Sequence, residues 1–69
     1  MPNSELTEIL DVIYSFDDGI SKEELISELE ISPIDIEMYL SHLIALNIIK
    51  LEDGMYVPSI DYDDAIDRL

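Results

Sequence analysis

Apolar positions along the chain change their spacing from helical to extended and back, and each change marks an element. In the first stretch Leu6, Ile9, Leu10, Ile13 and Phe16 fall on one side of a helix, with Glu5, Glu8, Asp11 and Ser15 on the other. Asn3 or Ser4 is placed to cap it, and Asp17-Asp18-Gly19 ends it, Gly19 being suited to the left-handed position after the last turn. Ser21 and Glu24 have the spacing of a capping box and Ile20 and Leu25 that of a hydrophobic staple. A short second helix is therefore expected to start there, burying Leu25, Ile26 and Leu29 and stopping at Glu30-Ile31.

The best-defined helix follows. Ser32 is a good N-cap, Pro33 suits the first helical position where no amide hydrogen is needed, and Asp35 puts a negative charge in the first turn. Ile31 and Ile36 can staple the entry, and Ile36, Leu40, Leu43, Ile44 and Asn47 recur at helical spacing, so that face is expected to be core. At about 100° per residue, Ile34, Met38, Ser41 and Ala45 project the opposite way, flanked by Asp35, Glu37 and His42.

After Asn47, which suits a left-handed cap, the period becomes extended in Ile48-Ile49-Lys50-Leu51. Asp53-Gly54 is a favoured two-residue hairpin turn, and Met55-Tyr56-Val57-Pro58 returns as the second strand, with Pro58 at its exposed end. Ser59 to Leu69 reads as a short terminal helix capped by Ser59 or Asp61, with Tyr62, Ala65, Ile66 and Leu69 facing inward. The expected fold is mainly α with a small β-hairpin, as a single domain over residues 1–69.

Composition changes this picture in one respect. Apolar residues make up 48% of the 69 positions, enough for a globular core. There is no cysteine, so no disulfide framework or thiolate metal site arises. The sequence starts without the pattern of a signal peptide and contains no apolar run of the roughly 20 residues that span a bilayer, so a cytoplasmic protein is expected. The outlier is charge: 17 acidic against 3 basic residues give a net −14. That balance opposes contact with DNA, RNA or anionic lipid, because phosphate binding depends on Lys and Arg releasing counterions. Solubility, a halophilic source, or an acidic surface that is itself the ligand of a basic protein would each account for it.

From Leu6 to about Val57, three helices and a hairpin with this spacing resemble the winged helix-turn-helix domains of bacterial and archaeal transcription regulators. The most specific stretch is Ile31-Ser-Pro-Ile-Asp-Ile-Glu-Met-Tyr-Leu-Ser-His-Leu-Ile-Ala-Leu-Asn-Ile-Ile, which looks like the recognition helix and first wing strand of that superfamily. The resemblance implies a three-helix domain with a β-hairpin wing, to which the short C-terminal helix read from the spacing is added. In DNA-binding members the outward positions of the third helix are typically polar or basic, and the wing carries basic residues. Here those positions are Ile34, Asp35, Glu37, Met38, Ser41, His42 and Ala45, and the wing tip is Glu52-Asp53-Gly54. Two carboxylates and an apolar ridge replace the donors and cations that read base edges and grip phosphate.

No residue set asks for catalysis. His42 is the single histidine, and Ser41 beside it points about 100° away on a helix, so the two form no nucleophile and base pair. Asp61-x-Asp63-Asp64 lacks the central Gly and distant Glu of an EF-hand, and no glycine loop for phosphate is present. No cofactor and no metal are expected. Ile34, Met38 and Ala45, an apolar ridge with acids on its margins, are instead the pattern of an interface core with a charged rim.

Three functions compete on these grounds. The favoured one is a non-catalytic module or inhibitor that binds a basic protein, such as one that handles nucleic acid, through Ile34, Asp35, Glu37, Met38, Ser41, His42, Ala45, Glu52 and Asp53. It would do so by presenting the charge of DNA, as small acidic inhibitors encoded by phages or mobile elements do. The second is a dimeric transcription regulator that touches DNA through Lys50, Ser41 and His42. The third is a structural subunit whose outward ridge forms a homodimer.

Overall fold

The computed structural model describes residues 4–16 and 18–69. The expected cap at Asn3 and the turn residue Asp17 lie outside them. The elements run α1 (Ser4–Ser15), α2 (Lys22–Glu28), α3 (Pro33–Ala45), β1 (Ile49–Glu52), β2 (Met55–Pro58) and α4 (Tyr62–Arg68). The chain is thus mainly helical, with one two-stranded antiparallel hairpin.

α1 buries Leu6, Ile9, Leu10 and Ile13, as the spacing predicts. Phe16 does not continue that stripe and is half-exposed, because the helix stops at Ser15 and a tighter turn follows. There the Phe16 amide donates to the Ile13 carbonyl and the Gly19 amide to the Phe16 carbonyl, both at 3.3 Å. Gly19 has φ +90°, and a Cβ on it would stand 2.6 Å from Val57 Cγ1 and 3.0 Å from the Tyr56 carbonyl oxygen. Glycine is required twice over, by conformation and by space. The close approach lets Ile20 pair with the hairpin: its amide donates to the Tyr56 carbonyl at 3.1 Å and the Tyr56 amide to its carbonyl at 2.8 Å. One residue of the α1–α2 connection thereby acts as a third strand on the free side of β2.

α2 starts where expected, the Ser21 hydroxyl oxygen accepting from the Glu24 amide at 3.2 Å. Only Leu25 of its apolar residues is fully buried; Ile26 and Leu29 pack against the core half-buried, a correction to the expected stripe. α3 exits through a complete Schellman turn. Asn47 sits at φ +60°, its amide donates to the Ile44 carbonyl at 2.9 Å, and the Ile48 amide reaches back to the Leu43 carbonyl at 3.0 Å. Ile48 and Ile49 then enter the core. Asn47 and Ile44 themselves are exposed, contrary to the expected core face, because burial centres on Ile36, Leu40 and Leu43 and leaves Ile44 on the margin. In the hairpin Ile49 pairs with Pro58 and Glu52 with Met55, and the turn residues Asp53 and Gly54 both have positive φ, +52° and +79°, the requirement of a type I′ turn.

α4 departs most from its predicted packing. Ala65 alone is buried, while Tyr62, Ile66 and Leu69, expected to face inward, are 38%, 40% and 44% exposed. The helix is held at its flanks by polar ties and touches the core through its smallest side chain. The Tyr62 hydroxyl donates to Asp11 Oδ1 at 2.5 Å, and its ring meets that of Tyr14 edge-on with centroids 5.4 Å apart. Arg68 Nη1 donates to the Leu46 carbonyl at 3.0 Å, and the Tyr14 hydroxyl donates to the Ile60 carbonyl at 2.6 Å just before the helix. Asp61 occupies the cap position without a side-chain capping bond.

The core is wholly apolar, with no polar or charged residue among the buried ones described. Gly19→Ala is expected to cost at least about 2 kcal/mol, since a positive φ strains any side chain and Val57 must also move. Urea denaturation followed by circular dichroism measures it. Burial, and then the charge of Asp61, raise the pKa of Tyr14, so the folded state favours the neutral phenol. Its contribution is present in full below about pH 10, the ordinary tyrosine value, and is lost as pH rises through the higher folded value. Urea midpoints between about pH 9 and 12 should fall, and fall less in Tyr14→Phe, which at neutral pH forfeits about 1 kcal/mol for the lost hydrogen bond.

Candidate functional site

The outward face of α3 is set by how the helix is clamped. At its start the Ser32 hydroxyl oxygen accepts from the Asp35 amide at 3.3 Å with Pro33 in the first turn, and at its end Asn47 closes the carbonyls. With Ile36, Leu40 and Leu43 buried, helical geometry turns Ile34, Met38, Ser41 and Ala45 to the outside. All four are exposed, Ile34 to 76% and Met38 to 60%, so most of each of these two apolar residues faces water. Asp35 and His42, seven residues apart, share one flank; Asp35 is half-buried and His42 exposed. Glu37 takes the other flank.

Two of the acidic residues expected at the site are already partnered. Glu37 Oε1 accepts from Lys22 Nζ of α2 at 3.2 Å, and Glu52 Oε2 is 2.9 Å from Lys50 Nζ on the same strand. Asp53 is exposed, its backbone spent on the hairpin turn. The fold therefore brings together Ile34, Asp35, Glu37, Met38, Ser41, His42 and Ala45 along one helix, while Glu52 and Asp53 belong to the hairpin tip. Among the described residues no hydrogen bond or ion pair links Glu52 or Asp53 to α3. The three cations of the chain are all engaged: Lys22 and Lys50 in those pairs, Arg68 on the Leu46 carbonyl.

Beside the ridge lies a feature that periodicity did not reveal. Leu6 of α1 and Met38, Tyr39 and His42 of α3 line an open groove of about 370 Å³. Its wall is fixed by the Tyr39 hydroxyl, which donates to Glu5 Oε1 of α1 at 2.7 Å. Leu6 reads in the sequence as core, and the spacing along α3 assigns Tyr39 to neither face. A groove lined by two helices is outside what periodicity along either one can show.

Among the described residues no group of three or more His, Cys, Asp or Glu side chains is placed to hold a metal ion. Among them, too, no helix is long and apolar enough to cross a membrane. No protein-family model, no curated protein and no solved structure matches the chain.

Because the ridge is largely exposed, Ile34→Ser and Met38→Ser should change unfolding free energy by no more than about 0.5 kcal/mol, whereas Leu40→Ala should cost about 2–5 kcal/mol. Chemical denaturation of the three variants makes the comparison. A large loss in either ridge variant would mean that these residues serve the fold.

Proposed function

We propose that the chain is an acidic winged-helix module that does no chemistry and binds a basic protein through the outward face of α3. The observation that carries this is the ridge itself, Ile34 and Met38 at 76% and 60% exposure on a helix whose rotation is fixed at both ends. Isolated exposed apolar residues are ordinary, but here two large ones stand a single turn apart with Ala45 continuing the line. Carboxylates on both flanks give the arrangement of an apolar interface core inside a charged rim.

The winged-helix part of the reading is supported by element order. α1, α2, a turn, α3 and the β1–β2 hairpin follow one another as the resemblance implies. The sign of the partner is supported by charge. A net charge of magnitude about 2–8 suffices to keep a small domain soluble, and −14 goes well beyond it. Proteins that handle nucleic acid have the required basic surfaces, and duplex DNA, at about one charge per 1.7 Å, is the polyanion such a module would imitate. Direct binding of DNA by this chain is opposed by the balance of 3 basic against 17 acidic residues, with both lysines paired to carboxylates.

Immobilised protein and its Ile34→Asp/Met38→Asp variant, exposed to lysate at about 0.15 M salt, test the proposal. A basic protein should be retained by the wild type, released by added duplex DNA and by about 0.5 M salt, and not retained by the variant. Retardation of a duplex oligonucleotide by the chain itself at about 50 mM salt would overturn the reading in favour of a DNA-binding regulator. A dimer in sedimentation that the double variant dissociates would favour a homodimeric subunit.

A further inference from the structure

We infer that the groove between α1 and α3 receives one large apolar side chain from a basic amphipathic helix of the partner, with the Ile34–Met38–Ala45 ridge lying along the rest of that helix. The inference rests on the proposed docking of a basic protein and specifies what docks. Leu6, Met38, Tyr39 and His42 line an open groove of about 370 Å³, the low end of the roughly 300–1,000 Å³ typical of pockets that take small molecules. That is room for a side chain, not for a helix. Met38 belongs both to the groove wall and to the ridge, so the two surfaces are continuous.

Their combined extent sets the form of the occupant. From Ile34 to Ala45 is eleven residues along α3, about 16 Å at 1.5 Å each, the length of three turns of a second helix. An amphipathic helix meets such a surface with apolar residues at i, i+4 and i+7. Methionine at the centre is the side chain best able to adapt to another chain's shape.

Charge decides what surrounds those apolar anchors. Neither α1 nor α3 contains a lysine or arginine. Asp35 lies on the Tyr39 and His42 flank of α3, and Glu5 is bonded to Tyr39 on the groove wall. Lysines and arginines bordering the apolar stripe of the partner helix are thus complemented on the groove side, where a second copy of this chain, at −14, would be repelled.

A fluorescent peptide about 16 residues long, leucine at i, i+4, i+7 and i+11 and mostly lysine and arginine elsewhere, is titrated into the full chain at about 0.15 M salt. A scramble of the same composition is titrated alongside. The patterned peptide should bind at least about tenfold more tightly than the scramble. His42→Trp, which fills the groove without altering the formal charge, should remove at least about tenfold of that affinity, while Ile44→Ser, on the opposite flank of α3, should leave it unchanged. Equal binding of both peptides, or indifference to His42→Trp, overturns the groove assignment and leaves the basic-partner reading standing on its lysate test. A patterned peptide that fails to bind while the lysate capture succeeds does the same. Failure of peptide and capture together overturns both. Dimerisation that His42→Trp abolishes would make a second copy the occupant and overturn the inference. Circular dichroism of each variant, matching the wild type, ties any loss to the groove rather than to unfolding.

Discussion

The reversal of the backbone at Leu46-Asn47-Ile48 governs how the molecule meets its surroundings. A left-handed residue at Asn47 is the condition for the Ile48 amide to reach the Leu43 carbonyl, and that bond ends α3 and turns Ile48 and Ile49 into the core. The Ser59 amide, donating to the Ile48 carbonyl at 2.9 Å, ties the return of the hairpin to the same point. At the other end Ile31 is buried immediately before the Ser32 cap. A helix anchored by buried isoleucines at both ends cannot roll. The outward position of Ile34 and Met38 therefore follows from the core, and removing them from water would cost the fold nothing.

The same core explains how so much charge is tolerated. No charged residue is fully buried among those described, so none bears the desolvation cost of a core charge, and repulsion acts largely through solvent. The body measures 30 × 27 × 19 Å, against a screening length of about 8 Å at physiological salt. Carboxylates on opposite sides hardly sense each other, and the repulsion that remains is between neighbours on one face. The Lys22–Glu37 and Lys50–Glu52 pairs are exposed and so are weak contributors to stability, at about 0–1 kcal/mol each. Their larger effect is on the surface: each occupies a cation that would otherwise face solvent unopposed.

Much of this was legible from residue order, and what escaped has a common cause. Local rules read the caps at Ser21 and Ser32, the glycine at position 19, the left-handed Asn47 and the Asp53-Gly54 turn, because each is decided by bonds within a few residues. Distances between elements lie outside such rules. The pairing of Ile20 with Tyr56 joins residues about half the chain apart, and the groove is lined by both α1 and α3. For α4, seven residues carry too few apolar positions to tell a buried stripe from a half-exposed one. Its seat is chosen instead by the long-range hydroxyl bonds of Tyr14 and Tyr62, which no periodicity encodes. Phe16 and Ile44 fail for a related reason, since a helical stripe has edges and the edge residue is settled by where the helix stops or what lies across from it.

On the proposed reading, the two surface properties divide the work of binding. Dispersed exposed carboxylates act at range, raising the rate of encounter with a cationic partner and failing as salt is added. They confer little selectivity, because any basic surface answers to them. Selectivity has to come from contacts that exclude water, and on this reading Met38, Ile34 and the cleft lined by Leu6, Tyr39 and His42 supply them. Interfaces concentrate their energy in such small desolvated clusters, with the charged margin contributing mainly to approach. A polyanion alone would need only the carboxylates. On the proposed reading, Ile34 and Met38, held in water on a helix pinned at both ends, are what a partner's apolar groups would cover, and that contact would separate a specific binder from a merely acidic one.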